Sequence, residues 1–205
     1  MASRRNKLSP IYRLPLEILR NILSFIEDDI PFSCQSPKSW TNFSRVSQHW
    51  RLSALSAPEL WANIPLTYSN WAQEMLIRSK MAKLTIQSPI SFTRSSPKAI
   101  ETFISCLYEM NRVKEIAIAV SGLIWEDIFC GFHESAPHRH TLRIRSSFKR
   151  RNEIGFLIHG DFFYDTERLQ RVELINCKIS WDSRLLTGFT RLILEDSLKA
   201  NSSIN

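Results

Sequence analysis

A recurring apolar spacing in the C-terminal two thirds of the chain is the feature that most constrains its fold. The best copy places apolar residues at Leu169, Val172 and Leu174 and continues to Cys177 and Ile179. Two apolar residues separated by one position are typical of a strand that buries one face. Further copies, some weak or partial, lie at Phe189, Leu192 and Leu194, at Met81, Leu84 and Ile86, at Val113, Ile116 and Ile118, and at Leu142 and Ile144.

The segments between these copies have helical periodicity. Ile100, Phe103, Ile104 and Leu107 would share one helical face. Strands that alternate with helices at this spacing match the leucine-rich-repeat pattern. We therefore predict an irregular leucine-rich-repeat-like strand–helix solenoid over residues 71–205. No polar terminal unit follows Leu194, which predicts a solenoid that is incomplete at its C-terminus. The alternative is a generic α/β domain whose strands happen to share this spacing.

The N-terminal part has a different character. Residues 1–13 are predicted to form a flexible basic arm, and residues 14–64 read as helical. Pro15 suits the first turn of a helix, and Glu17 places a negative charge where the helix dipole favours it. The helix carries a wide apolar arc made up of Ile18, Leu19, Ile22, Leu23, Phe25 and Ile26. An arc this wide predicts contacts with more than one neighbour.

A second helix is predicted from Trp40 to Ala54, and a short helical turn at residues 57–61. The predicted fold class is thus α+β or α/β, with a small three-helix unit followed by the solenoid. Three short helices alone would have too little core to be stable. This unit should therefore complete its core with another protein or another part of the chain.

Three stretches of this unit form a distinctive pattern. The first runs from Leu14 to Ile26, the second from Phe43 to Arg51, and the third contains Pro58, Leu60, Trp61 and Ile64. Together they resemble the F-box family, in its fungal F-box-like form. The loop at residues 27–39 is longer than the family's compact form needs. An F-box followed by irregular leucine-rich repeats is an order typical of this family.

The resemblance implies that the chain is a substrate receptor in a Skp–cullin–F-box ubiquitin ligase, which functions in ubiquitin-dependent protein degradation. Residues 14–64 would bind the Skp-type adaptor, and through it a cullin–RING ligase, while the repeats would bind an unknown protein substrate. The chain itself would not be an enzyme. The expected adaptor-binding residues are Leu14, Pro15, Ile18, Leu19, Ile22, Val46, Trp50, Leu60 and Trp61. The competing hypothesis is a leucine-rich-repeat binding module with a helical N-terminal cap and no role in a ubiquitin ligase.

Charge and composition bear on three other properties, which are nucleic-acid binding, cellular compartment and membrane association. The formal net charge of +7 is concentrated in the N-terminal arm and in a basic cluster at residues 143–151, which does not form the continuous basic face of a nucleic-acid-binding protein. The four widely spaced cysteines indicate reduced thiols, so we expect a cytoplasmic or nuclear protein. No apolar run reaches the roughly 20 residues that cross a bilayer, so we expect no membrane association.

We expect no catalytic residue, metal or cofactor. The sequence contains no phosphate-binding glycine loop, no serine-hydrolase motif and no zinc-protease motif. Cys130, His133, His138 and His140 lie close together in sequence, but their spacing matches no common structural zinc site.

Overall fold

The computed structural model describes residues 10–29, 42–92, 97–121, 124–125, 128, 137–146, 157–158, 168–181 and 183–195. Within these ranges there are four α-helices and eight strands. The helices are α1 (Leu16–Asp29), α2 (Gln48–Leu55), α3 (Ser69–Arg78) and α4 (Pro97–Leu107). The strands are β1 (Asn63–Pro65), β2 (Leu84–Phe92), β3 (Val113–Val120), β4 (Thr141–Ser146), β5 (Leu157–Ile158), β6 (Arg171–Ile175), β7 (Lys178–Ile179) and β8 (Arg191–Glu195).

Six strands form one sheet in the order β1-β2-β3-β4-β6-β8, and every neighbouring pair is parallel. The two remaining strands, β5 and β7, form a small parallel pair of their own. From one edge of the sheet to the other, the strands lie in the same order as they occur along the chain. A doubly wound fold binds nucleotides in the crevice where its strand order reverses, and this sheet has no such point among its described strands.

The two faces of the six-stranded sheet differ in chemistry. One face carries a row of apolar side chains in register, and all but the last member of the row are fully buried: Ile64, Ile86, Ile116, Leu142, Val172 and Leu192. Helices α3 and α4 contribute Met75 and Phe103 to the same buried cluster. The opposite face, called here the open face, carries mostly polar and charged side chains, including Glu115, Arg143, Arg171 and Glu173.

The N-terminal helices belong to the same hydrophobic core as the sheet. Leu19 and Leu23 of α1 are buried in one cluster with Trp61, Ile64 and Ile86. Trp61 lies in a 3-10 turn, Pro58–Trp61, between α2 and β1. Its indole Nε1 donates to the carbonyl oxygen of Ala54 at 2.8 Å, so it joins the end of α2 to the sheet region.

The predicted fold class, an F-box unit followed by a leucine-rich-repeat-like solenoid, is wrong. The structure is a parallel α/β arrangement of four described helices and a six-stranded sheet, of the broad Rossmann-like kind in which helices and strands alternate. The strands themselves lie where the apolar spacing predicted them, at β2, β3, β4, β6 and β8. The spacing is common to any parallel strand with a buried face, so it identified strands but could not identify a solenoid.

The predicted second helix also needs correction at its start. Residues 42–45 form a separate 3-10 turn, and α2 begins only at Gln48. Ser47 has an extended backbone, and its hydroxyl accepts a hydrogen bond from the backbone N–H of Trp50 at 3.3 Å. Since serine is a favoured N-cap residue, it starts a new helix here instead of continuing an earlier one. Residues 10–13 of the predicted arm form a 3-10 turn.

Candidate functional site

The nine residues predicted to bind an adaptor fall into three groups in the structure, which differ in how far each side chain is buried. Leu19, Trp50, Leu60 and Trp61 are buried within the chain itself. Leu14 and Ile22 are half-buried, while Pro15, Ile18 and Val46 are exposed. Only the second and third groups have surface that a partner could contact without unfolding the helices.

Trp61 is the clearest buried case, with 3% of its surface exposed. Its ring lies 5.8 Å from that of Trp71 on α3, and the guanidinium of Arg78 lies 4.5 Å from its ring centre. Glu74 holds Arg78 in place through a 2.6 Å contact. A cation over an indole face is an attractive electrostatic contact. Trp61 therefore stabilises the junction between the N-terminal helices and the sheet. The spacing of apolar residues in the sequence could not distinguish this structural role from a role in partner binding.

Two hydrogen-bonded contacts position α1 against α2. The ring Nε2 of His49 lies 3.1 Å from the carbonyl oxygen of Leu14, and Arg20 donates to the backbone and side-chain oxygens of Ser56 at 3.2 and 3.1 Å. The start of α1 thus lies beside the start of α2, and Arg20 lies beside the end of α2. Leu19 and Leu23 of α1 are buried in the hydrophobic cluster that also contains Ala54 of α2.

The side of α1 next to the buried one carries an apolar stripe, called here the α1 stripe, formed by Ile18, Ile22 and Phe25, of which Ile22 is half-buried against the core. These positions are four and three residues apart and so lie along one side of the helix. Ile18 is 45% exposed and Phe25 is 70% exposed, although both are large apolar side chains. Phe25 was not among the predicted docking residues, but its position seven residues after Ile18 is a signal that could have found it.

Helix α2 leaves a second apolar pair exposed. Leu52 and Leu55 lie on the side of α2 away from buried Trp50 and Ala54. Arg45 and Arg51 line a shallow cavity beside Leu52. An apolar surface with basic neighbours suits a partner whose own apolar surface has acidic neighbours.

The open face of the sheet holds an ion-pair network centred on Glu173. Arg171 Nε donates to Glu173 Oε1 at 2.7 Å, and Arg143 Nε donates to the other carboxylate oxygen. Burial alone would raise the pKa of Glu173, but hydrogen bonds from Arg171 and Arg143 outweigh it and hold the pKa below its usual value. The network is therefore ionised at neutral pH and fixes the two guanidinium groups on the surface.

The described residues offer little for covalent or metal chemistry. Burial raises the pKa of both Cys106 and Cys177 to about 12, so both thiols stay protonated and are poor nucleophiles. Over the same ranges no three His, Cys, Asp or Glu side chains are grouped so that they could hold a metal ion. His138 and His140 precede β4, whereas Cys130 and His133 lie outside the described residues. None of the helices in these ranges is long and apolar enough to span a bilayer.

Comparisons with known proteins gave no match, whether against protein-family models, curated proteins or solved structures.

Proposed function

We propose that the chain is a substrate-receptor subunit of a Skp–cullin–F-box ubiquitin ligase. Its N-terminal helices would bind the Skp-type adaptor, and its sheet region would bind a protein target. The chain would perform no chemistry. It would raise the effective concentration of target lysines beside another protein's ubiquitin-charged active site.

The observation that carries the proposal is the exposure of the α1 stripe. Burying a large apolar side chain stabilises a structure by about 1.5–3 kcal/mol, so stably folded helices rarely leave such residues open in a row. Among the described residues little covers Phe25, and it lies in the segment that resembles an F-box. An amphipathic partner helix or groove would bury the stripe, as in helix-in-groove recognition.

Burial supports a revised docking set within this proposal. Of the predicted residues, Leu14, Pro15, Ile18, Ile22 and Val46 keep surface that a partner could contact. We add the exposed Phe25, with Leu52 and Leu55 as a second exposed patch. Leu19, Trp50, Leu60 and Trp61 would act indirectly by holding α1 and α2 in position. A variant at one of these buried positions would therefore lose adaptor binding through misfolding and would not test the interface.

The decisive experiment measures binding of the purified chain to a purified Skp-type adaptor by biolayer interferometry. Phe25→Asp should weaken binding by more than about tenfold, because truncating a hot-spot residue at an interface costs about 2 kcal/mol or more. Ile18→Asp should weaken it by a similar factor. The thermal unfolding midpoint of both variants should stay close to that of the parent chain.

Ile77→Asp is the matched control, because Ile77 is an equally exposed apolar residue on α3, outside the N-terminal helices. It should leave adaptor binding unchanged. The proposal fails if the parent chain does not bind the adaptor, or if all three variants bind as tightly as the parent.

A further inference from the structure

The open face of the sheet contains a cavity of about 270 Å³ above the middle of β3. Ala117 and Ala119 form its floor, Gln87 of β2 lies on one side, and Arg143 and Arg145 of β4 lie on the other. The register explains this placement. Gln87 pairs with Ala117 and Ala117 with Arg143, while Ala119 pairs with Arg145.

The cavity exists because β3 carries two alanines on its open face while both neighbouring strands carry long polar side chains. Side chains on one face of a strand alternate with those on the other, so Ala117 and Ala119 are consecutive on this face. Neighbouring strands lie only about 4.8 Å apart, so the guanidinium groups of β4 can reach over the alanines. A small group that enters the cavity would meet hydrogen-bond donors from two strands.

The two arginines have different surroundings. Arg143 is held by Glu173, as described above, so its position is fixed and its charge is partly balanced. Arg145 is exposed, and its register neighbours Ala119 and Ile175 carry no charge. The cavity therefore contains the guanidinium of Arg143, which is held in place, and that of Arg145, whose charge no register neighbour balances. Two guanidinium groups of this kind suit an oxyanion ligand.

The rest of the open face argues against a continuous polyanion. Glu115, Glu173 and Glu195 lie in register rows with the arginines, and they would repel a nucleic-acid backbone that crosses the sheet. None of the residues that pair across this face from β1 to β8 is aromatic, so bases would find no stacking platform there. An isolated acidic side chain can enter the cavity without crossing the glutamate rows, and it needs no aromatic side chain to stack on.

We propose that this cavity binds an acidic side chain of a partner protein's peptide segment, with the guanidinium of Arg145 as its principal contact. Arg143 acts as the positioned second donor, and Gln87 offers a neutral amide from the opposite side. The carboxylate of glutamate and the phosphate of phosphoserine share the required oxyanion chemistry. The site stands on the geometry of the sheet and does not require adaptor docking by the N-terminal helices.

Fluorescence anisotropy tests the site with the purified full chain and no adaptor. The probes are three labelled nine-residue peptides of the same length, in which the variable positions carry Glu, phosphoserine or Gln. The Glu or the phosphoserine peptide should bind, and the Gln peptide should bind at least about tenfold more weakly. The tighter of the two acidic probes identifies whether the natural group is a carboxylate or a phosphate.

Arg145→Gln should weaken binding of the tighter acidic peptide at least about tenfold. The matched control is Arg191→Gln, an exposed arginine on the same face but at the edge strand, which should weaken binding less than about twofold because it lies away from the cavity. Unfolding midpoints of both variants should match that of the parent, since both side chains are exposed.

Three results would overturn the proposal. The first is no binding of either acidic peptide at about 50 mM salt, where surface charges are least screened. The second is an equal loss with Arg145→Gln and Arg191→Gln, which would indicate non-specific attraction. The third is tighter binding of a nine-nucleotide single-stranded DNA than of either peptide. Because the adaptor is absent, none of these results depends on the adaptor-docking proposal.

Discussion

The N-terminal helices and the sheet bury their apolar residues to different extents. On the helix-covered face of the sheet, the row from Ile64 through Ile86 and Ile116 to Leu142 is fully buried. On α1, by contrast, Leu19 is fully buried while Ile18 and Phe25 on the other side are open. Both regions are rich in aliphatic residues, so composition does not explain the difference.

The difference comes from how many neighbours each element has. A central strand has a strand on either side and helices over one face, so its apolar side chains are covered within the chain. Helix α1 packs on α2 and on the core along one side, and no described element covers its other side. The same apolar residues are therefore structural in the sheet and available for binding on α1. Substitutions in each region test that distinction.

Trp61→Ala should have the largest effect, because it removes the side chain that joins the two regions. We expect a loss of about 3–5 kcal/mol in the free energy of unfolding, as for other large-to-small changes at buried aromatic residues. Chemical denaturation followed by far-ultraviolet circular dichroism measures it. A single transition should persist, because both regions share one core.

Trp181→Ala is the matched control, since Trp181 is 79% exposed. It should change stability by less than about 0.5 kcal/mol. If Trp61→Ala instead produced two separate transitions, the N-terminal helices would be an independent unit, and the domain boundary predicted between residues 64 and 71 would describe the chain better than one continuous core.

Arg112→Met should have the next largest effect. The buried guanidinium of Arg112 donates to Ser79 Oγ at 3.0 Å and to the Ala82 carbonyl oxygen at 2.8 Å, and it contacts Glu109 at 2.9 Å. Its loss leaves the buried Ser79 hydroxyl and the partly buried Ala82 carbonyl without this donor, so we expect destabilisation of about 2–3 kcal/mol. Arg168→Met, at an exposed arginine, should cost less than about 0.5 kcal/mol in the same denaturation measurement. Equal effects would mean that the buried network contributes nothing.

The sequence predicted the positions of most strands of the sheet correctly but not the way in which the strands assemble. The alternating pairs Leu84–Ile86, Ile116–Ile118 and Leu142–Ile144 all lie on strands, because alternation follows directly from strand geometry. Whether such strands build a solenoid or another parallel sheet depends on how the connecting segments pack, and strand spacing carries no information on that. The short strand β1 was missed because three residues, Asn63–Pro65, are too few to show a period.

The candidate sites show the same limit. Apolar periodicity placed Leu19 and Ile18 in one docking set, because a wide apolar arc does not indicate which part of it the chain covers. The Gln87–Ala117–Arg143 cavity was not predicted, because its residues come together only through the register of three strands. Ala117 and Ala119 are unremarkable in sequence. They form the floor of a cavity only because the side chains beside them on β2 and β4 are long.

Glu173→Gln should have a smaller effect that depends on pH. Because the pKa of Glu173 is held below its ordinary value of 4.5, its carboxylate contributes stability that is present above that value and is lost as the pH falls through the folded pKa. We expect the variant to be less stable by about 1 kcal/mol at neutral pH, since both arginine partners are more than a third exposed. The difference should shrink as the pH falls from 5 to about 3.

Thermal unfolding across this pH range measures the effect. Glu195→Gln, at an exposed glutamate of the same face, is the control and should give a difference close to zero at every pH. A Glu173→Gln difference that stayed constant down to pH 3 would show that the carboxylate charge is not what stabilises the network.

Phe25→Ser should have the smallest effect on stability, and it is the sharpest test of the difference between the two sides of α1. Because Phe25 is 70% exposed, its removal should change the free energy of unfolding by less than about 0.5 kcal/mol. Leu23→Ala, two residues earlier on the buried side, should cost about 2–5 kcal/mol in the same experiment. If the two changes cost the same, another part of the chain covers the α1 stripe, and the stripe then needs no partner. If Phe25→Ser is neutral in the isolated chain but destabilises a complex with the adaptor, Phe25 belongs to the binding surface and not to the core.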